Sequence, residues 1–329
     1  METIEPSEDE LRYHTLDTSD TSDTTKKAPS STLSTYSLNK PAKLGLSVII
    51  PAYNERKRIG RMLEECLSYL EDREQKGKEK PWIAGYEIIV VDDGSRDDTG
   101  GYVLEKSEEI ISKIVPMGVT RWGQVKIIRL SKNRGKGGAV RHGILNCSGQ
   151  YILFADADGA TKFSELGKLW DRMETLLELN TRDYKGELVD SGEGIVIASR
   201  AHLVNSEAVA KRSFIRNLLM RSFHLYLHIL GISTIKDTQC GFKLFTRPAA
   251  KLIFPYLHTS GWIFDVEILI IAQMRHIAVC EVGVDWVEIE GSKVDLVRDS
   301  IRMALDLGVV RMSYWLGRWS IRSIKSKSE

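Results

Sequence analysis

Cysteine is scarce and scattered. Cys66, Cys147, Cys240 and Cys280 are the four in 329 residues, and none forms a CxxC pair. That excludes a zinc ribbon and a disulfide framework and suggests a reducing compartment, with all four read as small buried hydrophobes. Long apolar runs are also lacking. The longest, 214–235, is broken by Arg216, Asn217, Arg221, His224 and His228, whereas a spanning helix needs about 20 mostly apolar residues. Such a segment suits a membrane surface rather than its interior, and no signal peptide is visible. Excess charge of one sign is absent: 46 basic and 45 acidic residues leave a net charge of +1. No overall field therefore draws the chain to nucleic acid. Neither GxxxxGK(S/T) nor HExxH occurs, so a P-loop and the zinc-protease helix are excluded. His224 and His228, spaced i,i+4, lack a third ligand and read as packed or interfacial. No repeat appears at solenoid periods. Asn146-Cys147-Ser148 matches a glycosylation sequon but follows a helical segment inside the domain, so it is expected to stay unmodified.

What is present is an alternation of strands and helices. Residues 1–43 are polar and repetitive and bury too little apolar surface to fold alone, so they are expected to be a disordered tail. Order is expected from Leu44. Four apolar, largely β-branched runs, 46–51, 86–91, 125–130 and 151–155, read as strands. Between them, Ile59, Met62, Leu63, Cys66, Leu67 and Leu70 keep helical spacing, Asp97, Asp98 and Thr99 can cap a second helix, and 137–145 reads as a third. The second half is less regular: a strand at 194–199, a helix at 209–229, a loop at 237–245 entering a short strand, a helix at 266–274 and a strand at 279–288. The fold class is therefore α/β: a single Rossmann-like domain with a mostly parallel central sheet over 44–293, then amphipathic C-terminal helices over 294–329.

In open α/β sheets ligands bind beyond the carboxyl ends of the strands. Three polar clusters fall there: Pro51-Ala52-Tyr53-Asn54-Glu55, Asp92-Asp93-Gly94-Ser95 and Asp156-Ala157-Asp158-Gly159. One such cluster is an ordinary loop; three on one edge are a site. Asp156 and Asp158 flank small Ala157, so in extended chain both carboxylates point to one side. That pair can hold Mg²⁺ or Mn²⁺, which takes one or two carboxylates and completes its shell with substrate phosphates and water. Arg134-Gly135-Lys136-Gly137-Gly138 reads as a phosphate cradle at a helix start or as a basic turn.

The motifs SVIIPAYNE (47–55), VVDDGSRDDT (90–99), NRGKGGAVRHG (133–143) and ADADGAT (155–161) resemble the A-type fold of inverting glycosyltransferase family 2. ASRAHL (198–203), RSFIRNLLM (212–220), DTQCGFKLFTR (237–247), WIFDVE (262–267) and WVEIEGSKV (286–294) resemble the dolichyl-phosphate β-glucosyltransferases within it. The resemblance implies glucosyl transfer from UDP-glucose to dolichyl phosphate, serving protein N-glycosylation. It implies that Pro51, Ala52, Tyr53 and Glu55 cradle base and ribose, that one of Asp92 and Asp93 reads uracil, and that Lys136 and Ala157 lie along the nucleotide. Asp156 then serves ribose and metal, and Asp158 ligates the metal. Asp237, Gln239 and Lys243 are expected beside the sugar. Asp265 is expected as a catalytic carboxylate, a sugar-orienting group or a structural cap. Arg200, Arg212 and Arg216 are expected to hold the acceptor phosphate, with Arg200 foremost.

A lipid acceptor implies a membrane surface, and a cytosolic donor implies the cytosolic face of the endoplasmic reticulum. Candidate surface elements are 214–229 and the C-terminal segment, where Met312, Trp315, Leu316 and Trp319 alternate with Arg311, Arg318, Arg322, Lys325 and Lys327. Trp262, Trp286, Trp315 and Trp319 are expected in the core or at a membrane interface. Two alternatives stand beside this reading: a polyprenyl-phosphate mannosyltransferase using GDP-mannose, and a non-catalytic nucleotide-sugar binding protein.

Overall fold

The computed structural model describes residues 13–16, 36–72, 85–115, 123–180, 192–202, 235–289 and 296–319. Arg212, Arg216, His224, His228 and the expected helix 209–229 lie outside the described residues.

Among the described residues there are eight strands: β1 (Tyr13–Leu16), β2 (Leu44–Ala52), β3 (Tyr86–Asp92), β4 (Gly123–Arg129), β5 (Gly149–Ala155), β6 (Gly194–Ser199), β7 (Phe242–Thr246) and β8 (Ala278–Gly283). They form one sheet in the order β1-β4-β3-β2-β5-β7-β6-β8. Six strands share one direction; β1 and β7 run against them. The expected, mostly parallel sheet is what forms. Its central strands are continuous apolar runs because helices cover both faces. All of β3 is buried, and alternate residues feed two cores: Ile88 and Val90 enter one, Ile89 and Val91 the other.

Helices α1 (Ile59–Leu70), α2 (Thr99–Ile114) and α4 (Leu166–Asn180) cover the first face, and α3 (Lys136–Leu145), α5 (Arg247–Ile253), α6 (Phe264–Met274) and α7 (Leu296–Trp315) the second. α2 starts at Asp98, whose side chain accepts the Gly101 amide at 3.3 Å. α6 is buried from Phe264 to Ala272, so no face of it needs to be polar.

Four details differ from the sequence-based expectation. Structure begins before Leu44: β1 pairs with β4, and Leu38 is fully buried against the second core. Arg247 pins this stretch by donating to the carbonyls of Ser37 at 2.5 Å and Lys40 at 3.0 Å. α4 was not foreseen, although Leu166, Leu169, Trp170 and Met173 line its buried side. Nor was α5, capped by Thr246 with Pro248 in its first turn. Finally, β8 ends at Gly283, not Glu288, because the chain leaves the sheet: Val287 N–H donates to Ala160 O at 2.9 Å.

Register positions the functional residues. Ala52 pairs with Asp92, and Asp92 with Arg129. Ile49 pairs with Phe154, Phe154 with Lys243, and Lys243 with Ile197. The carboxyl ends of β2 to β6 and the amino end of β7 thus share one edge.

Candidate active site

The loops along this edge are stitched together. Asn54, in the left-handed region at φ 52°, donates its N–H to Ser95 Oγ at 2.9 Å and accepts Arg96 N–H on Oδ1 at 2.8 Å. Asparagine is among the few side chains that visit this region readily. Glu55 N–H donates to Thr99 Oγ1 at 2.9 Å. The β2 and β3 loops therefore form one wall, holding Pro51, Ala52, Tyr53 and Glu55 beside Asp92 and Asp93.

Asp93 organises the basic loop. Its two oxygens accept the N–H groups of Arg134 at 2.7 Å and Gly135 at 2.9 Å. Burial raises its pKa to about 6, although both N–H groups oppose the shift. Asp92 accepts Ser95 N–H at 2.9 Å. Gly135 has φ 81°, and a Cβ there would meet Ser260 O at 2.5 Å, so glycine alone lets this loop pass the 258–262 segment.

Asp156 follows β5 and donates its N–H to Gly241 O at 2.9 Å. A Cβ on Gly241 would lie 1.9 Å from Asp156 Oδ2; the glycine leaves room for that carboxylate. Lys136 Nζ stands 2.7 Å from Asp156 Oδ1, over the rings of Phe154 and Trp262. Burial pulls the lysine down, but Asp156, Asp265 and Asp158 carry it above its ordinary value. Asp158 accepts Ala160 N–H at 3.0 Å. Burial first, and the charge of Asp156 next, push its pKa up.

Among the described residues no group of three or more His, Cys, Asp or Glu side chains is placed to hold an ion. The carboxylates of Asp156 and Asp158, hard oxygens of like charge, lie near enough for the first to raise the pKa of the second. That set fits a hard divalent ion drawing its remaining ligands from phosphate and water.

Arg200 leaves β6 at the same edge. Its guanidinium forks onto Asp237 at 2.7 and 2.8 Å, and its N–H donates to the same carboxylate at 2.9 Å. Burial alone would raise Asp237, but Arg200 outweighs it and holds the carboxyl below its usual range. Glu281 fixes the turn from β8 by accepting the N–H groups of Lys236 at 2.9 Å and Asp237 at 2.8 Å. The Arg200 guanidinium lies 5.4 Å from the centroid of Trp286, which pairs with Thr161 just after Asp158.

Four expected site residues are engaged by other groups of the protein. Asp237 serves Arg200 rather than standing open beside a sugar. Gln239 donates to Met303 Sδ of α7 at 3.1 Å. Asp265 is 3% exposed and paired with Lys243, which is itself fully buried and donates to Cys240 O at 2.7 Å. The Asp265 carboxylate is buried in that pair, within reach of the charges of Lys136 and Asp156.

Two residues were missed. Arg58 forks onto Glu55 at 2.8 and 2.7 Å. That hydrogen bond, followed by the charges of Glu55, Asp158 and Asp156, raises its pKa against burial. The i,i+3 spacing of Glu55 and Arg58 right after a strand-end cluster was the available signal. Trp286, expected in the core or at an interface, lies against the Arg200 guanidinium, and no local pattern announces that contact.

Known proteins resemble this chain in sequence and in fold. The Glycosyl transferase family 2 model matches residues 47–185. The chain is 45% identical to the dolichyl-phosphate β-glucosyltransferase of Saccharomyces cerevisiae, across 95% of this chain and 86% of that one. It is 43% identical to that of Homo sapiens, across 85% and 79%. The solved structure of mannosyl-3-phosphoglycerate synthase from Rubrobacter xylanophilus matches in fold, with TM-score 0.50 and 19% identity over 86% of this chain and 78% of that one.

Proposed function

The chain belongs to the dolichyl-phosphate β-glucosyltransferases of glycosyl transferase family 2, and on that premise we propose how its site works. The enzyme transfers glucose from UDP-glucose to dolichyl phosphate, with inversion. An oxygen of the acceptor phosphate bonds to the anomeric carbon, the bond from that carbon to the diphosphate breaks, and UDP leaves with the electron pair.

A sugar hydroxyl would need a base to take its proton. A phosphate monoester has a second pKa of about 6 and is mainly dianionic at pH 7, so no base is required. The difficulty is instead repulsion between two anions, and the residues are suited to it. Pro51, Ala52, Tyr53 and Glu55 hold the base and ribose, with the Asp92–Asp93 pair facing uracil. Asp93 also fixes the Arg134–Gly135 backbone, which starts α3 beside the donor phosphates. Lys136 and Arg58 bring positive charge to Asp156 and Asp158. Those two carboxylates would hold Mg²⁺ or Mn²⁺, and the chemistry such an ion supplies is neutralisation of the leaving diphosphate.

Arg200 takes the acceptor phosphate. Asp237 occupies one edge of its fork, Trp286 backs it, and the remaining N–H donors suit phosphate oxygens. Arg212 and Arg216 are proposed to assist from the segment outside the described residues. Asp265 pairs with Lys243 and raises Lys136, an electrostatic role without proton transfer. The lipid acceptor calls for the endoplasmic reticulum membrane, and a cytosolic donor calls for its cytosolic face.

The observation that carries this reading is a like-charged carboxylate pair and a carboxylate-braced arginine on one sheet edge. The test supplies purified protein with dolichyl phosphate, Mg²⁺ or Mn²⁺, and either UDP-glucose or GDP-mannose. Glucolipid from UDP-glucose alone is expected. Mannolipid from GDP-mannose would overturn the donor, and nucleotide-sugar binding without any lipid product would overturn the enzyme.

A further inference from the structure

The two sides of α7 are opposed in character. Leu307, Val310 and Tyr314 are buried in the second core. Facing away are Ile301, Leu305, Val309, Met312, Trp315 and Leu316, all at least half exposed, Trp315 at 79%. At about 3.6 residues per turn these six form one continuous stripe roughly 20 Å long. The stripe holds an open groove of about 410 Å³ over Ala304 and Gly308.

The buried side is fixed to the active-site edge. Tyr314 Oη donates to Glu267 Oε1 at 2.9 Å, and Glu267, fully buried, also accepts the N–H groups of His258 and Thr259 at 3.0 and 2.7 Å. Trp319 folds back, after a reversal at Gly317, to stack on His258 with centroids 4.2 Å apart. The segment so anchored leads to Ser260, whose carbonyl accepts Gly138 N–H at 3.2 Å, and to Trp262 over Lys136. The stripe therefore keeps a set orientation relative to the donor loop.

Charge selects the occupant. Residues 296–329 carry seven basic and three acidic side chains in a chain of net charge +1. Helical spacing sets Arg302 and Arg311 on opposite flanks of the stripe, Arg318 follows it, and Arg322, Lys325 and Lys327 lie in the sequence beyond. Pairing two such helices from two copies would bring like charges together. An apolar face rimmed by cations, with tryptophan at one end, matches an anionic bilayer.

We propose that α7 lies flat on an anionic lipid surface through the stripe from Ile301 to Leu316, and that this contact presents the active site to its lipid acceptor. The proposal rests on the reading of the enzyme above and identifies where that enzyme meets the bilayer.

The test compares the full chain with a variant carrying Leu305→Ser, Val309→Ser and Leu316→Ser. Binding is measured by co-sedimentation with phosphatidylcholine vesicles, with and without phosphatidylserine. Transfer is measured to dolichyl phosphate in those vesicles and to a water-soluble short-chain polyprenyl phosphate. Expected for the parent is binding that strengthens with phosphatidylserine. Expected for the variant is binding and vesicle transfer weakened by about tenfold or more, given the apolar area removed, with soluble-acceptor transfer unchanged. Variant binding equal to the parent's would overturn the proposal, as would sedimentation equilibrium in which the stripe substitutions dissolve a dimer without altering vesicle binding. Failure of the parent to glucosylate either acceptor would instead defeat the enzymatic reading.

Discussion

The two edges of the sheet treat buried charge in opposite ways. At the amino edge Glu87 is fully buried and matched: it accepts from Ser47 Oγ at 2.6 Å and Ser148 N–H at 2.5 Å and pairs with Lys126 at 2.5 Å. Arg247 there, 2% exposed, donates to the carbonyls of Ser37, Lys40, Cys147 and Gly149. At the carboxyl edge Asp92 stands next to Asp93 and Asp156 next to Asp158, and Asp93 and Asp158 are both pushed up. One edge satisfies its charges internally. The other concentrates like charges, for which the proposed partners are a nucleotide, a cation and a phosphate. Such an arrangement costs stability and is kept where ligands complete it.

Substitutions should separate the edges. The largest effect expected is that of Asp158→Asn, which removes the metal-side charge. Several kcal/mol of charge stabilisation, or about a thousandfold in kcat, should disappear. Thermal unfolding should not shift downward, since a repulsive contact is relieved; a marked drop in Tm would contradict the comparison. Next, Arg200→Ala should lower kcat/KM for dolichyl phosphate by about 30–100-fold, the equivalent of a charge-assisted hydrogen bond of 2–3 kcal/mol. The KM for UDP-glucose should hold. Because Asp237 is left buried and unpaired, Arg200→Lys is the control, expected to restore stability and only part of the rate. Unchanged acceptor kinetics in both would remove the assignment.

At the amino edge the expectation reverses. Arg247→Met should cost about 3 kcal/mol of stability in chemical denaturation, because the carbonyls of Ser37, Lys40, Cys147 and Gly149 lose this donor, the last two in buried bonds. kcat should stay near the parent value below the melting transition. The smallest effect expected is a pH dependence. Folded Asp93 titrates at about 6, above an unfolded carboxylate, so its ionisation disfavours the fold as pH rises through the interval between the two values. Its ionised form is the one that grips Arg134 and Gly135. The KM for UDP-glucose should therefore rise a few-fold on acidification through pH of about 6, and Asp93→Asn should abolish that dependence.

The edges also differ in how readable they are. Strands β2 to β5 and their polar ends stand in the sequence because each run and its exit residues are contiguous: Ala52 to Glu55, Asp92 and Asp93, Asp156 and Asp158. Arg58 was open to the same reading through its i,i+3 spacing from Glu55. The amino-edge network was not, because Arg247 reaches partners about a hundred and two hundred positions away. Nor was the early start of order: Leu38 sits in a polar stretch, and only the core that receives it makes it structural.

By itself the sequence determined the βα alternation, the sheet edge on which chemistry collects and the residue types available there, since all of these follow from local period and composition. Tertiary structure alone decided their employment. It turned Asp237 toward Arg200, sealed Asp265 against Lys243, set Trp286 under a guanidinium and left one side of α7 bare. Those outcomes depend on distant segments meeting, and a carboxylate's role is set by which cation it meets.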